Sequence, residues 1–178
     1  MTNPLYFDTD CLSSFLWAKE EMILSRLYSR RIIIPQQVYN ELLYPGVSHL
    51  KTRLDVLINS KDAAIQPILI DTPEFTLYRR LTHSPEDGHS IIGKGEAAAI
   101  VLASASCGTV ASNNLKDVTL YISDLGLRHM TTGDILREAL KASLITESRG
   151  NDIWNAMLAK KRKIGSASFT DYLNSTLC

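Results

Sequence analysis

The chain has 178 residues, which is enough for one domain to bury a sizeable core without cross-links. Hydrophobic residues make up 45% and charged residues 21% of it, the composition of an ordinary soluble globular protein. The formal net charge is zero, which excludes a global electrostatic attraction to nucleic acid. A nucleic-acid partner would therefore have to be held by a local patch or through a bound metal.

Short apolar runs alternate with longer amphipathic stretches along the chain, which predicts strands and helices in turn. In chain order, we predict a strand at 4–7, one helix or two at 12–28, a strand at 32–34, a helix from 35 to near 45, a helix at 48–59, a strand at 64–70, a helix at 73–81, a loop at 83–95, a helix at 96–104, a strand at 109–111, a turn at 112–114, a helix to about 125, a strand at 128–130, and helices at 133–142 and 147–160. This alternation predicts an α/β fold, with a central parallel sheet of about five strands and helices on both faces.

No repeat, low-complexity segment or linker divides the chain, so residues 1–160 are predicted to form a single domain. Residues 161–178 are predicted to be a mobile tail or a lightly docked extension. The basic run from Lys160 to Lys163 is predicted to be a solvated helix end, with contact to backbone phosphate as the alternative.

Three cysteines are odd in number and share no metal-ligand spacing. We predict Cys11 and Cys107 to be small core residues and Cys178 to be a terminal thiol, which suits a reducing cytoplasm. No apolar run approaches the roughly 18 residues that span a bilayer, and the N-terminus has no basic region followed by an apolar stretch. The predicted location is the cytoplasm, without a membrane partner.

Four carboxylates come from four separate segments near predicted strand ends or helix starts: Asp8, Glu41, Glu96 and Asp117. In open parallel sheets, functional sites form beyond the carboxyl ends of the strands. Clustered carboxylates repel one another in a low-dielectric cleft, so their close approach calls for a cation. Oxygen ligands of this kind suit Mg²⁺ or Mn²⁺, which can activate water and stabilise charge during phosphodiester cleavage.

Each acid also has an ordinary structural explanation when it is considered alone. An aspartate after a strand can cap the next helix, and Asp10 is better placed for this than Asp8. Glu41 and Asp117 could be surface charges, and Glu96 could be favoured by a helix dipole. The order and spacing of all four acids favour a shared site.

Four segments resemble the PIN-domain nuclease family, over about residues 4–145. Residues 7–12 (FDTDCL) resemble its opening strand, Asp and Thr, and residues 34–43 resemble its second segment. Residues 93–103 place a glycine pair before an acid and an Ala-rich helix, and residues 110–117 place an Asn three positions before Asp117. In the last segment many PIN proteins have Asp directly after the strand, where this chain has Asn113 and Asn114.

The resemblance implies a metal-dependent nuclease that uses Mg²⁺ or Mn²⁺. The implied catalytic acids are Asp8, Glu41, Glu96 and Asp117, with Asp8, Glu96 and Asp117 as metal ligands and Asp10, Ser112 and Asn114 as substrate-binding or supporting residues. The implied substrate is nucleic acid, RNA in preference to DNA. Compact PIN nucleases resemble the toxins of bacterial toxin–antitoxin pairs, which implies a small antitoxin partner; a homo-oligomer is also compatible.

Two other functions stay open at this point. In a phosphatase of the haloacid-dehalogenase type, Asp8 and Asp10 would be the paired aspartates, Ser112 the phosphate-binding hydroxyl and Asp134 the later acid. That assignment leaves Glu41 and Glu96 without a role. The second alternative is a PIN-like binding module without catalysis, which the two asparagines and the zero net charge favour.

Overall fold

The structure is a computed structural model that describes residues 3–85 and 88–176. Cys178, predicted to be a terminal thiol, lies outside these residues. The strands of the described part are β1 (Leu5–Phe7), β2 (Ile32–Pro35), β3 (Ala63–Gln66), β4 (Thr109–Ala111) and β5 (Arg128–Met130). The helices there are α1 (Thr9–Ala18), α2 (Glu21–Tyr28), α3 (Gln36–Glu41), α4 (Ser48–Asn59), α5 (Pro73–His83), α6 (Lys94–Ser106), α7 (Leu115–Asp124), α8 (Thr132–Lys141), α9 (Glu147–Ala159) and α10 (Phe169–Ser175).

The described strands form one parallel sheet in the order β3-β2-β1-β4-β5. The first strand lies at its centre, where Tyr6 is opposite Ile33 on one side and Val110 on the other. The strands that follow β1 in the sequence are added first on one side of it (β2, β3) and then on the other (β4, β5). Since β1 and β4 are parallel neighbours, their carboxyl ends lie side by side. The predicted α/β fold with a parallel sheet of about five strands is confirmed.

Both faces of the sheet are covered by helices, as predicted. Along β1, Leu5 and Phe7 belong to one buried cluster, whereas Tyr6 belongs to the other. The first cluster includes side chains of α1, α2, α4, α8, α9 and α10, and the second includes those of α5, α6 and α7. Among the described residues, no helix combines the length and apolar character that a membrane crossing requires.

The first helix begins at Thr9, three residues before its predicted start. The side chain of Asp8 accepts a hydrogen bond from the amide of Cys11 at 2.7 Å and thereby caps the helix. The prediction that Asp10 is better placed for capping was wrong. The left-handed conformation of Lys19 then ends α1, so residues 12–28 belong to two helices.

Two other elements are shorter than predicted. The strand β3 ends at Gln66, because Pro67 has no amide hydrogen to continue the ladder, and the following Leu69 and Ile70 are exposed. The helix α3 ends at Glu41, and a series of turns leads to α4. Glu41 thus lies in the last turn of α3.

Cys107 is exposed, so the prediction that it is a core residue was wrong. It adopts a left-handed conformation as the C-cap of α6, which turns the chain towards β4. Cys11 is buried, as predicted.

The segment after Lys160 packs against the domain over residues 161–176. Phe169 is fully buried, its ring lies 6.0 Å from that of Trp154, and the indole nitrogen of Trp154 donates to the carbonyl of Ser166. Tyr172 donates to the carboxylate of Asp134. A separate identity for residues 161–178 stays a prediction.

The burial of Phe169 gives a first testable prediction. Phe169→Ala should lower the free energy of unfolding by about 3 kcal/mol, because truncating a buried aromatic leaves a cavity. Urea unfolding monitored by circular dichroism measures this. Tyr44→Ala, at an aromatic residue that is 68% exposed, is the control and should change stability by less than about 0.5 kcal/mol. Equal effects of the two variants would mean that α10 is not part of the core.

Candidate active site at the end of the central strands

Asp8 lies where the central strand ends, and it is fully buried. Its amide donates to the carbonyl of Ala111 at the end of β4, and its Oδ1 caps α1. Its Oδ2 has no hydrogen-bond partner within the part of the chain that the structure describes. A buried carboxylate oxygen without a partner is unfavourable, which marks this position as one that a cation or proton would stabilise.

Burial raises the pKa of Asp8 to about 7. The Ser112 side chain and the Cys11 amide lower it, whereas the charges of Asp10 and Glu96 raise it further. Desolvation outweighs the hydrogen bonds because both oxygens lie inside the protein. The carboxyl group of Asp8 therefore titrates near neutral pH.

Glu96 and Asp117 are joined by the side chain of Asn114. The amide nitrogen of Asn114 donates to Glu96 Oε1 at 2.7 Å and to Asp117 Oδ2 at 2.8 Å. The other carboxylate oxygen of Glu96 accepts from the amide of Gly93 at 2.9 Å, which satisfies a backbone donor at the start of α6. The structure thus brings two of the predicted metal ligands to the same amide group.

Glu41 reaches the same region from the end of α3, where Thr9 donates a short hydrogen bond to it. Gly95 permits this approach, since a Cβ atom there would lie 2.6 Å from Thr9 Oγ1 and 3.2 Å from Val38 Cγ2. A glycine is thus required by the close packing of three helices beside Glu41. Glu41 and Glu96 line a depression of about 250 Å³ together with Asp10 and Arg162.

Asp10 is only partly buried and lies at the mouth of the site. Arg162 approaches it at 3.5 Å and also donates to Ser13 at 3.2 Å. Asn113 contacts Asp10 at 3.4 Å, but its shorter bonds, of 2.9 Å, join it to the backbone and hydroxyl of Thr132 at the start of α8. Asn113 therefore fixes the turn after β4, whereas Asn114 faces the acids.

Ser112 is fully buried directly after β4. Its hydroxyl accepts from the amide of Asn114 at 3.2 Å, and its carbonyl accepts from His129 Nε2 at 2.9 Å. Burial lowers the pKa of His129, so the ring is neutral at pH 7 and its Nε2 carries the proton. These bonds shape the turn that presents Asn114.

A cleft of about 500 Å³ contains both acidic and basic side chains; we call it the acid cleft. Its acidic and amide residues are Asp10, Glu96, Asn113, Asn114 and Asp117, and its basic residues are Lys116, Lys161, Arg162 and Lys163. The run at 160–163 was predicted to be a solvated helix end, yet α9 ends at Ala159 and three of its four cations line the cleft. The buried side chain of Ile164 anchors the segment directly after them.

The acids suit a hard divalent cation by the chemistry of their oxygens. Among residues 3–85 and 88–176, no three His, Cys, Asp or Glu side chains are grouped so that all could hold one metal ion. Mg²⁺ keeps several waters and binds proteins through one or two carboxylates, so such a group is not needed. Asp8 has an unpartnered oxygen and is affected by the charge of Glu96, and Asn114 joins Glu96 to Asp117, so these three carboxylates are the ones that fit it.

Asp134, the later acid of the phosphatase alternative, makes its contacts away from Asp8. Asp134 caps α8 through Thr131 and accepts hydrogen bonds from Arg137 and Tyr172, and these contacts lower its pKa despite burial. It lines a different cleft, with Tyr28 and Arg31. Asp134 thus has a structural role apart from Asp8.

The raised pKa of Asp8 predicts how stability depends on pH. The folded chain keeps this proton up to about pH 7, whereas the unfolded chain loses it near 3.8, so the stabilisation is complete below pH 4 and is lost as pH rises through 7. In chelator at pH 8, Asp8→Asn should raise the free energy of unfolding by about 4 kcal/mol. The gain should shrink as pH falls from 7 to 4.

Urea unfolding of both proteins between pH 4 and pH 8 measures this gain. Asp152→Asn, at an exposed position of α9, is the control for the loss of one aspartate. A gain that is the same at both ends of the pH range would contradict a buried Asp8.

The packing at Gly95 gives a third prediction. Alanine in a helix is normally more stable than glycine by about 1 kcal/mol. Gly95→Ala should instead destabilise the protein by about 1–2 kcal/mol, because the new methyl group overlaps Thr9. Adding Thr9→Ala should recover part of this loss, and strictly additive effects in thermal unfolding would rule out the contact.

Comparison with known families agrees with this geometry. The model of the family described as DUF3368: PIN domain matches residues 5–176. A search of curated proteins gave no significant match. The matched range includes the central strands, all four predicted acids and the C-terminal helix α10. The chain therefore belongs to the PIN-domain family.

Proposed function

We propose that this protein is a metal-dependent nuclease that cleaves RNA at the acid cleft. The observation that carries the proposal is the composition of the cleft, in which acids lie beside four cations. The carboxylates suit a divalent ion, and the cations suit the phosphates of a nucleic-acid backbone. A local basic patch is what a chain with no net charge needs to hold such a substrate.

The proposed roles of the acids follow from their contacts. Asp8, Glu96 and Asp117 would hold Mg²⁺ or Mn²⁺, one or two of them directly and the rest through its bound waters, and Asn114 would keep Glu96 and Asp117 in place. When bound, the ion would supply charge that activates a water and stabilises the phosphate oxygens. Glu41 is assigned as the further catalytic acid, since it lies beyond Glu96 in the adjoining depression.

The basic residues would bind the substrate backbone. Arg162 lines both the acid cleft and the depression beside it, so its guanidinium is placed next to the acids. Its contact with Asp10, at 3.5 Å, is longer than a good charge-assisted hydrogen bond. A phosphate could therefore replace Asp10 as its partner at little cost. Ser112 would support the site through the turn that presents Asn114.

The antitoxin, the homo-oligomer, the preference for RNA over DNA and the cytoplasmic location stay predictions. A non-catalytic binding module stays the alternative that experiment must decide.

Cleavage of a generic single-stranded RNA in saturating Mn²⁺ tests the proposal. The parent should cleave, and chelator, Asp8→Asn and Asp117→Asn should each abolish most activity. Asn114→Ala should lose ~10–100-fold, the usual cost of removing a residue that orients a metal ligand. Full activity in Asp117→Asn would mean that the fourth acid is misassigned, and Asp10 would be the next candidate.

The basic residues supply a matched pair of variants. Arg162→Ala should weaken RNA binding in chelator. For this variant, the slope of the logarithm of the binding constant against the logarithm of the salt concentration should be shallower by about one. Lys160→Ala is the control, because that side chain lies over the ring of Trp17 and does not line the cleft. Equal weakening by both would show that charge alone is responsible. Hydrolysis of a small phosphomonoester, without RNA cleavage, would support the phosphatase instead.

A further inference from the structure

A further pocket, of about 440 Å³, is also lined by Glu41; we call it the aromatic pocket. It is formed by Gln37, Asn40 and Glu41 of α3, the following Tyr44, Tyr78 and His83 of α5, and Lys94 at the start of α6. Glu41 also lines the depression that holds Asp10, Glu96 and Arg162. The aromatic pocket, the depression and the acid cleft are thus neighbours along one path across the surface.

We propose that the aromatic pocket binds a nucleobase of the strand whose phosphate lies in the acid cleft. This inference rests on the proposed function and adds a binding site for the base. A base attached next to the bound phosphate has to project from the backbone to one side of the acids. The aromatic pocket is a concave surface on such a side, since it shares Glu41 with the depression beside the acid cleft.

The two tyrosines supply surfaces on which a base can stack. Tyr44 is 68% exposed although it is a large aromatic residue, and it lies in the turns that follow α3. Tyr78 is half-buried, and burial together with the charge of Glu41 raises its pKa, so its hydroxyl remains protonated as a hydrogen-bond donor. Bases of unpaired strands are commonly held by stacking on aromatic side chains of this kind.

The polar residues of the pocket can distinguish one base edge from another. The side-chain carbonyl of Gln37 is shielded from solvent, whereas Asn40, whose side chain also lines the pocket, is exposed and can present its amide to a base. An amide has both donors and an acceptor, which is the pattern that base edges present. Lys94 adds a cation at the mouth, where the neighbouring phosphate of the strand would lie.

The same features favour a base over a peptide side chain from a protein partner. The pocket lies beside the acids rather than on a separate face, and Glu41 is common to both. Its two aromatic residues and two amides match the stacking and edge contacts of a planar heterocycle.

Binding in chelator separates base contacts from backbone contacts. The probes are a fluorescein-labelled single-stranded RNA and a strand of the same length made of abasic sugar–phosphate units. The parent should bind the RNA about tenfold more tightly than the abasic strand, the fold-change that stacking of one base supplies. The Tyr44→Ala/Tyr78→Ala variant should lose this difference and bind the abasic strand as the parent does.

Three matched variants control the experiment. Tyr44→Phe/Tyr78→Phe keeps both rings and should keep most of the difference. Arg162→Ala should weaken both strands by a similar factor, because it contacts backbone. Asn40→Ala should reduce discrimination among RNAs that differ in base identity, without changing binding of the abasic strand. The unfolding midpoint of each variant checks that it is folded.

The outcomes distinguish this inference from the proposed function. A folded Tyr44→Ala/Tyr78→Ala protein that still prefers RNA over the abasic strand as the parent does would overturn the aromatic pocket, even if the parent cleaves RNA. A parent that shows the base-dependent difference but never cleaves in Mn²⁺ would retain the pocket and reject the nuclease.

Discussion

The buried carboxyl group of Asp8 is the constraint around which the rest of the site is arranged. It ends the central strand, its amide holds the end of β4, and its side chain starts α1. Three elements would lose an attachment if it moved to solvent. The cost is a carboxylate oxygen inside the protein without a partner, which a proton near pH 7 or a cation can offset. The group that organises the fold is thus also the one that makes a ligand favourable.

Much of the fold could be predicted from the sequence, because its signals are local. The β-branched run before Pro35 and the short runs at 109–111 and 128–130 mark buried parallel strands, and α4 has the predicted bounds. The structure differs from the prediction at positions where a single contact or backbone conformation determines where a residue lies. The sequence favours Asp10 over Asp8 as the capping residue, whereas in the structure α1 begins directly after Asp8 and Asp8 is the cap. Cys107 looks apolar, but its left-handed backbone places it at the surface.

The two kinds of charge in the acid cleft differ in how far the sequence reveals them. The acids are visible because each follows a strand or lies near the end of a helix, which fixes its position by local geometry. The cations of residues 161–163 reach the cleft only because Ile164 and Phe169 are buried and Trp154 binds the backbone of Ser166. These contacts lie outside the acid motifs. A basic run next to a helix end is usually solvated, so its composition alone did not reveal this position.

The two asparagines after β4 show how a departure from the common acidic pattern fits this site. Asn113 binds the backbone and hydroxyl of Thr132, so it is committed to the turn. Asn114 donates one amide group to Glu96 and Asp117 together. An aspartate at 114 could only accept hydrogen bonds when ionised, so both contacts would be lost and a third negative charge would face the first two. Because Asp117 supplies the acid one helical turn later, the position before it is better filled by a neutral donor.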